Sequence, residues 1–255
     1  MIKRKYIAPN AITAGNMCLG YLSIIESIRG DYIYAILFII LAMICDGLDG
    51  KTARKFDAFS EFGKEFDSFS DAISFGLAPG ILIFCILSVG IRSNLAIPVS
   101  FFYSLCGVMR LVKFNVTVVA SSEKGDFSGM PIPNAAGMVT SYYLSSFYLN
   151  KYLNIDLFNI DILIFISVIA SLLMVSTIPF KTPNKAFSFI PNKFVTIFII
   201  ISLITIIFSM FILTFSYAII NLVNHIKKTF VKDNDENENT LIENEEDLEF
   251  EEEEK

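Results

Sequence analysis

D-G-L-D-G-K-T-A-R (46–54) and G-K-E-F-D-S-F-S-D (63–71) decide how this chain reads. Together they hold four aspartates, Asp46, Asp49, Asp67 and Asp71. The first pair is three residues apart and the second four, so on helices each pair shares one face. Gly50 and Ala53 continue the first face and Gly63 begins the second. Small residues there let two backbones approach closely. A helical hairpin would then aim four carboxylates at one point between its arms. Carboxylates at that density repel one another unless cations sit among them. Mg²⁺ or Mn²⁺ is the expected cofactor, because both favour oxygen ligands and suit phosphate chemistry. Apolar helices flank the motif, and an ionisable residue at membrane depth marks a functional site. A bland reading, a charged loop facing water, accounts for Lys51, Arg54, Lys55, Asp57 and Lys64. It accounts poorly for four aspartates with small residues and an arginine at helical spacing.

The surrounding chain is apolar. Of 255 residues, 54% are hydrophobic and 18% charged, and mean hydropathy is +0.58. Apolar runs of roughly spanning length recur, which predicts an all-α polytopic membrane protein with about eight transmembrane helices. Cys18, Cys45, Cys85 and Cys106 all lie in apolar stretches without ligand spacing and read as small buried side chains. His225 is the only histidine, so a histidine metal site is not expected. The net charge of −6 hides two regions. From Asp233 onward stand 13 of the 26 acids and one of the 20 Lys plus Arg, leaving 13 acids against 19 cations before it, a net of +6. Residues 1–229 read as a membrane-embedded domain and 230–255 as an acidic, disordered tail. The basic residues mark helix ends and form no single cluster, so nucleic acid is not an expected partner.

Along the chain, helices are expected over about 11–28, 32–55, 63–87, 95–115, 134–149 and 158–178. Ser60 is a candidate cap for the third, and Pro79 a candidate kink within it. Ser121 to Pro133 holds Gly125, Gly129, Pro131 and Pro133, which argue against regular structure. Phe194 to Ile226 is a long apolar run that would span about 50 Å as one helix, so two short helices turning near Phe208 to Phe211 are expected. With eight helices the basic segments 3–5, 51–64, 110–124, 181–193 and 227–228 all fall on one side. That places both termini and the aspartates in the cytosol, at the cytoplasmic membrane. The N-terminus lacks a cleavage pattern and reads as retained.

The full pattern is D46-x2-D49-G50-x2-A53-R54-x8-G63-x3-D67-x3-D71. It resembles, without a mismatch, the signature of the CDP-alcohol phosphotransferase family. Further stretches resemble the membrane-embedded phosphatidylserine synthase branch of that family. They are P-N-x-x-T-x-x-N (9–16), F-D-S-F-S-D-A-I-S-F-G-L-A-P-G (66–80), R-L-V-K-F-N (110–115), F-S-G-M-P-I-P (127–133) and M-V-S-T-I-P-F-K (174–181). Met130 stands where Leu is usual in that branch, and Thr177 where Asn is common. The resemblance covers about residues 5 to 185. It implies a helical bundle that moves a substituted phosphate from a CDP-linked donor to an alcohol and releases CMP. The donor would be CDP-diacylglycerol and the acceptor L-serine, in a homodimer among membrane lipids.

The same resemblance implies roles. Asp46, Asp49, Asp67 and Asp71 would hold two divalent cations, with Asp71 also the base for the acceptor hydroxyl. Gly50 and Ala53 would leave room for the nucleotide, and Asn10 and Thr13 are further nucleotide candidates. Arg54 would contact a donor phosphate. Arg110 and Lys113, three apart, would grip the serine carboxylate or a phosphate, assisted by Asn115. For Lys113 a lipid headgroup is an equal alternative. A sister enzyme taking glycerol-3-phosphate or inositol phosphate, and an ether-lipid donor, remain alternatives at this stage. A transporter is disfavoured, because its acidic residues usually lie at midplane in repeated halves.

Overall fold

The structure is a computed structural model and describes residues 4–120, 127–180, 211–212, 214–227 and 229. The chain folds as a helical bundle. A single turn at Arg4–Tyr6 leads into α1 (Ile7–Arg29), followed by α2 (Tyr32–Lys55), α3 (Glu61–Asp71) and α4 (Ala78–Ser88). α3 and α4 are joined through a π-helical turn, Ala72–Leu77. α5 (Ser93–Ala120), α6 (Ile132–Leu153) and α7 (Ile160–Val175) complete the named helices, and residues 214–227 are also helical. Among the described residues, four helical stretches are long and apolar enough to cross a membrane: Ile7–Arg29, Tyr32–Lys55, Glu61–Ser88 and Ser93–Val116. These are the features of a polytopic membrane protein. The basic segment 181–193, most of the apolar run 194–226 and the acidic tail lie outside the described residues.

Local chemistry sets the helix ends. Gly30 (φ 85°) closes α1 in the left-handed region, with Asp31 N donating to Glu26 O at 2.9 Å. Ser60 caps α3 by accepting from Gly63 N at 3.0 Å, as the sequence predicts. Asn159 caps α7 through Asp161 N at 2.7 Å. α1 starts four residues earlier than expected, because Pro9 falls in its first turn, where its missing N–H costs nothing. α7 ends at Val175, before the expected Ile178. There the chain turns out to form β2 (Pro179–Phe180), which pairs antiparallel with β1 (Phe127–Ser128). The stretch expected to lack regular structure therefore carries one short strand. Gly129 (φ 84°) donates its N–H to Ile178 O at 2.9 Å, and Met130 N donates to Leu173 O at 2.9 Å. These bonds stitch the 127–131 loop onto the end of α7.

The π turn is the second departure. The sequence marks Pro79 as a kink, and the irregularity lies just before it. Pro79 has no N–H for Phe75 O, four residues earlier. That carbonyl instead accepts from Tyr103 Oη at 3.3 Å, and Gly76 O accepts from Ser104 Oγ at 3.2 Å. Both hydroxyls come from α5. A freed carbonyl in an apolar bundle needs such a partner. On the opposite side, Ser74 Oγ donates to Asn16 O of α1 at 2.9 Å. A Cβ on Gly20 would lie 2.7 Å from Ser74 Cα, so α1 touches the π turn backbone to backbone there. α1, α3 and α5 are thus locked around the residues that immediately follow Asp71. The apolar core, with Ile36, Ile39, Phe75, Leu82 and Tyr103 fully buried, packs beyond them.

Candidate metal centre and active site

α2 and α3, joined by residues 56–60, both pack against α1, and that arrangement brings Asp46, Asp49 and Asp67 together. Asp57 in that link has a positive φ of 46°, and Lys5 Nζ donates to its carbonyl at 2.6 Å. Asp46, Asp49 and Asp67 each offer one carboxylate oxygen, and these three oxygens lie within 4.8 Å of one another. Asp71, one turn beyond Asp67, falls outside that group. Asp49 is 5% exposed and accepts from Thr13 Oγ1 at 2.9 Å. Asp67 Oδ1 is buried without a hydrogen-bond partner among the described residues. Three converging acidic oxygens, with a buried unpaired oxygen on one of the same carboxylates, fit a hard divalent cation, which would offset the mutual repulsion.

A cavity of about 200 Å³ opens beside the cluster. Its walls include Asn10, Thr13, Asp49, Gly50, Ala53 and Asp67, and also Phe59, Ser60, Gly63 and Lys64. A Cβ on Gly50 would meet nothing closer than Arg54 Nη2 at 4.0 Å, so Gly50 faces open space. Gly63 is tighter: a Cβ there would stand 3.0 Å from Ser60 Oγ and 3.4 Å from Asn10 Oδ1. That clearance lets α1 and α3 come together at the cavity wall. Arg54 is exposed, one turn past Gly50.

The α5 residues separate by role. Arg110 lies near Asp71 and Asp46 and has an electrostatic contact with Tyr217, from the helical residues 214–227. Its guanidinium stacks 5.2 Å from the Phe114 ring centre, and its Nε is buried with no hydrogen-bond partner among the described residues. Lys113 instead donates from Nζ to Ser176 O at 3.3 Å, near the end of α7. Asn115 Nδ2 donates to Ser68 Oγ at 3.0 Å, tying α5 to α3. Of the expected acceptor residues, Arg110 therefore stands at the aspartates, while Lys113 and Asn115 fasten helices together.

Asn16 was quoted in the sequence pattern without a role. It donates from Nδ2 to Asp71 Oδ1 at 3.2 Å and is wholly buried. Asn10, Thr13 and Asn16 recur every three residues, which places them along one side of α1. That spacing was the available signal. Phe59, Lys64 and Tyr217 carried none, since each reaches the site through tertiary packing.

The CDP-alcohol phosphatidyltransferase family model matches residues 6–182, and the chain belongs to that family. It is 42% identical over 142 residues to the archaetidylserine synthase of Methanothermobacter thermautotrophicus, covering 55% of this chain and 59% of that relative. It is 32% identical over 200 residues to the CDP-diacylglycerol–serine O-phosphatidyltransferase of Helicobacter pylori, covering 78% of this chain and 81% of that protein. The enzyme of the same description from Bacillus subtilis is 39% identical over 127 residues, 50% of this chain and 70% of its own. Membership makes a CDP-linked lipid the expected class of substrate.

Proposed function

We propose that the protein transfers the phosphatidyl group of CDP-diacylglycerol to the hydroxyl of L-serine, giving phosphatidylserine and CMP. The observation that carries this reading is the meeting of Asp46, Asp49 and Asp67 within 4.8 Å beside a cavity edged by Gly50 and Ala53. The serine acceptor is supported by the activities named for the relatives, all of which use serine.

The serine hydroxyl oxygen forms a bond to the phosphorus that carries diacylglycerol. The bond from that phosphorus to the bridging oxygen breaks, and CMP leaves with the bonding pair. The hydroxyl proton passes to Asp71. Asp46, Asp49, Asp67 and Asp71 would hold divalent cations, two by this reading, which would supply neutralisation of the donor's phosphate charge. Asn10, Thr13, Gly50 and Ala53 hold the nucleotide, and Arg54 reaches a donor phosphate from the rim. Arg110 takes the acceptor carboxylate. The bundle works as a homodimer in the cytoplasmic membrane, with the aspartates and both termini in the cytosol.

A second reading has its own support. The archaetidylserine synthase at 42% identity favours an ether-linked donor with the same acceptor. CMP release by purified protein in detergent, with Mg²⁺ or Mn²⁺, tests both. CDP-diacylglycerol and its diether counterpart are each offered with L-serine, glycerol-3-phosphate or inositol phosphate. Release with L-serine alone is expected. Release only with another acceptor overturns the serine assignment while leaving family membership intact.

A further inference from the structure

Two buried polar atoms of opposite character, on side chains that interact with Asp71, lack hydrogen-bond partners among the described residues. One is an acceptor, Asn16 Oδ1, on a side chain with no exposed surface. The other is a donor, Arg110 Nε. Asn16 already uses its amide N–H on Asp71 Oδ1 at 3.2 Å, so its carbonyl oxygen is the end left over. Its backbone is fixed by the Ser74 bond to Asn16 O and by the close contact of Gly20 with the π turn. The side chain therefore has little freedom to find another partner. Arg110, on α5, interacts electrostatically with Asp71. An unmet acceptor and an unmet donor are each costly when buried, and a ligand carrying the complementary groups removes both costs.

We propose that Asn16 is an acceptor-specificity residue whose Oδ1 receives the ammonium group of an amino-acid alcohol, opposite Arg110, which takes the carboxylate. This rests on the serine-transfer reading above. Hydroxyl at Asp71, ammonium at Asn16 and carboxylate at Arg110 make three distinct attachment points. Three points around one carbon distinguish mirror images, so the same arrangement selects L-serine over D-serine. A glycerol phosphate or inositol phosphate offers no cation for Asn16 Oδ1, which leaves that atom unpaired and disfavours such acceptors.

The test compares kcat/KM for L-serine, D-serine, 3-hydroxypropanoate (no ammonium) and ethanolamine (no carboxylate). Any that react too slowly are measured as inhibitors of serine-dependent CMP release. In Asn16→Ala, the preference for L-serine over 3-hydroxypropanoate is expected to fall at least about tenfold, the loss of one hydrogen bond to a charged group. The L-to-D ratio falls with it, while the preference over ethanolamine holds. Arg110→Gln is expected to do the reverse, losing the preference over ethanolamine. An equal loss for serine and 3-hydroxypropanoate in Asn16→Ala overturns the inference and leaves Asn16 as a positioning residue for Asp71. Where Asn16→Ala fails to fold, judged by thermal stabilisation with CDP-diacylglycerol, Asn16→Ser carries the same comparison. If the wild-type protein uses glycerol-3-phosphate rather than serine, the underlying reading falls. If it uses serine and the Asn16 variants keep its selectivity, only this inference falls.

Discussion

Asp67 and Asp71 share a helix face, yet their surroundings differ. Asp67 meets Asp46 and Asp49, while Asp71 stands outside that 4.8 Å group and accepts from Asn16. In the proposed reading Asp67 serves as a metal ligand, while Asp71 is both a ligand and the base. Asp67→Asn removes one of three converging anionic oxygens. It is expected to raise the Mn²⁺ concentration for half-maximal CMP release at least about tenfold, because a neutral amide is a poor ligand for a hard cation. An unchanged metal requirement would remove Asp67 from the metal set. Asp71→Asn keeps the shape of the side chain and loses the proton acceptor. Turnover should fall by about 10²–10⁴-fold, the range for general-base loss, with thermal stability in detergent little changed. Near-wild-type turnover would sink its assignment as the base.

At the scale of elements, the contact between α1 and the π turn is the feature to disturb. Gly20 has Ser74 Cα 2.7 Å from where its Cβ would lie, so Gly20→Val forces two backbones apart. Overpacking of this kind costs about 1–3 kcal/mol, read as a lower midpoint of thermal unfolding in detergent. The displacement also moves Asn16 and Asp71, so activity should fall further than stability. Tyr103→Phe is milder. It removes the hydroxyl that serves Phe75 O, a carbonyl without a Pro79 N–H to accept, and should cost about 1 kcal/mol. A variant as stable as the parent would show that another group can serve that carbonyl.

At the scale of the whole molecule, the bundle gathers residues from α1, α2, α3 and α5 at one end, so cation binding and folding are linked. A cation that binds only the folded form adds stability by mass action, about 2.7 kcal/mol at 100 times its dissociation constant. Chelation by EDTA should lower the unfolding midpoint of the wild type and have a smaller effect on Asp67→Asn. Equal shifts in both would argue that the stabilising cation binds elsewhere. Topology is testable at this scale too. Single cysteines introduced at Lys3 and at Lys228, in a background without the four native cysteines, should both react with an impermeant thiol reagent only after the cytosolic face is opened. Labelling of either from outside would overturn the one-sided charge arrangement.

The motif at 46–71 determined the two linked helices, the identity of their four acids and the helical class, because helix periodicity and bilayer thickness act locally on the chain. The cap at Ser60 and the limits of α2 were legible for the same reason. The sequence could not order the residues in space. That the 4.8 Å group takes in Asp46, Asp49 and Asp67 but not Asp71, that Lys113 and Asn115 tie helices together while Arg110 interacts with the acids, and that Asn16 holds Asp71 depend on how separate helices pack. The π turn belongs with these features. A freed carbonyl in an apolar bundle must find a donor, and only the packing of α5 against Phe75 and Gly76 supplied Tyr103 and Ser104.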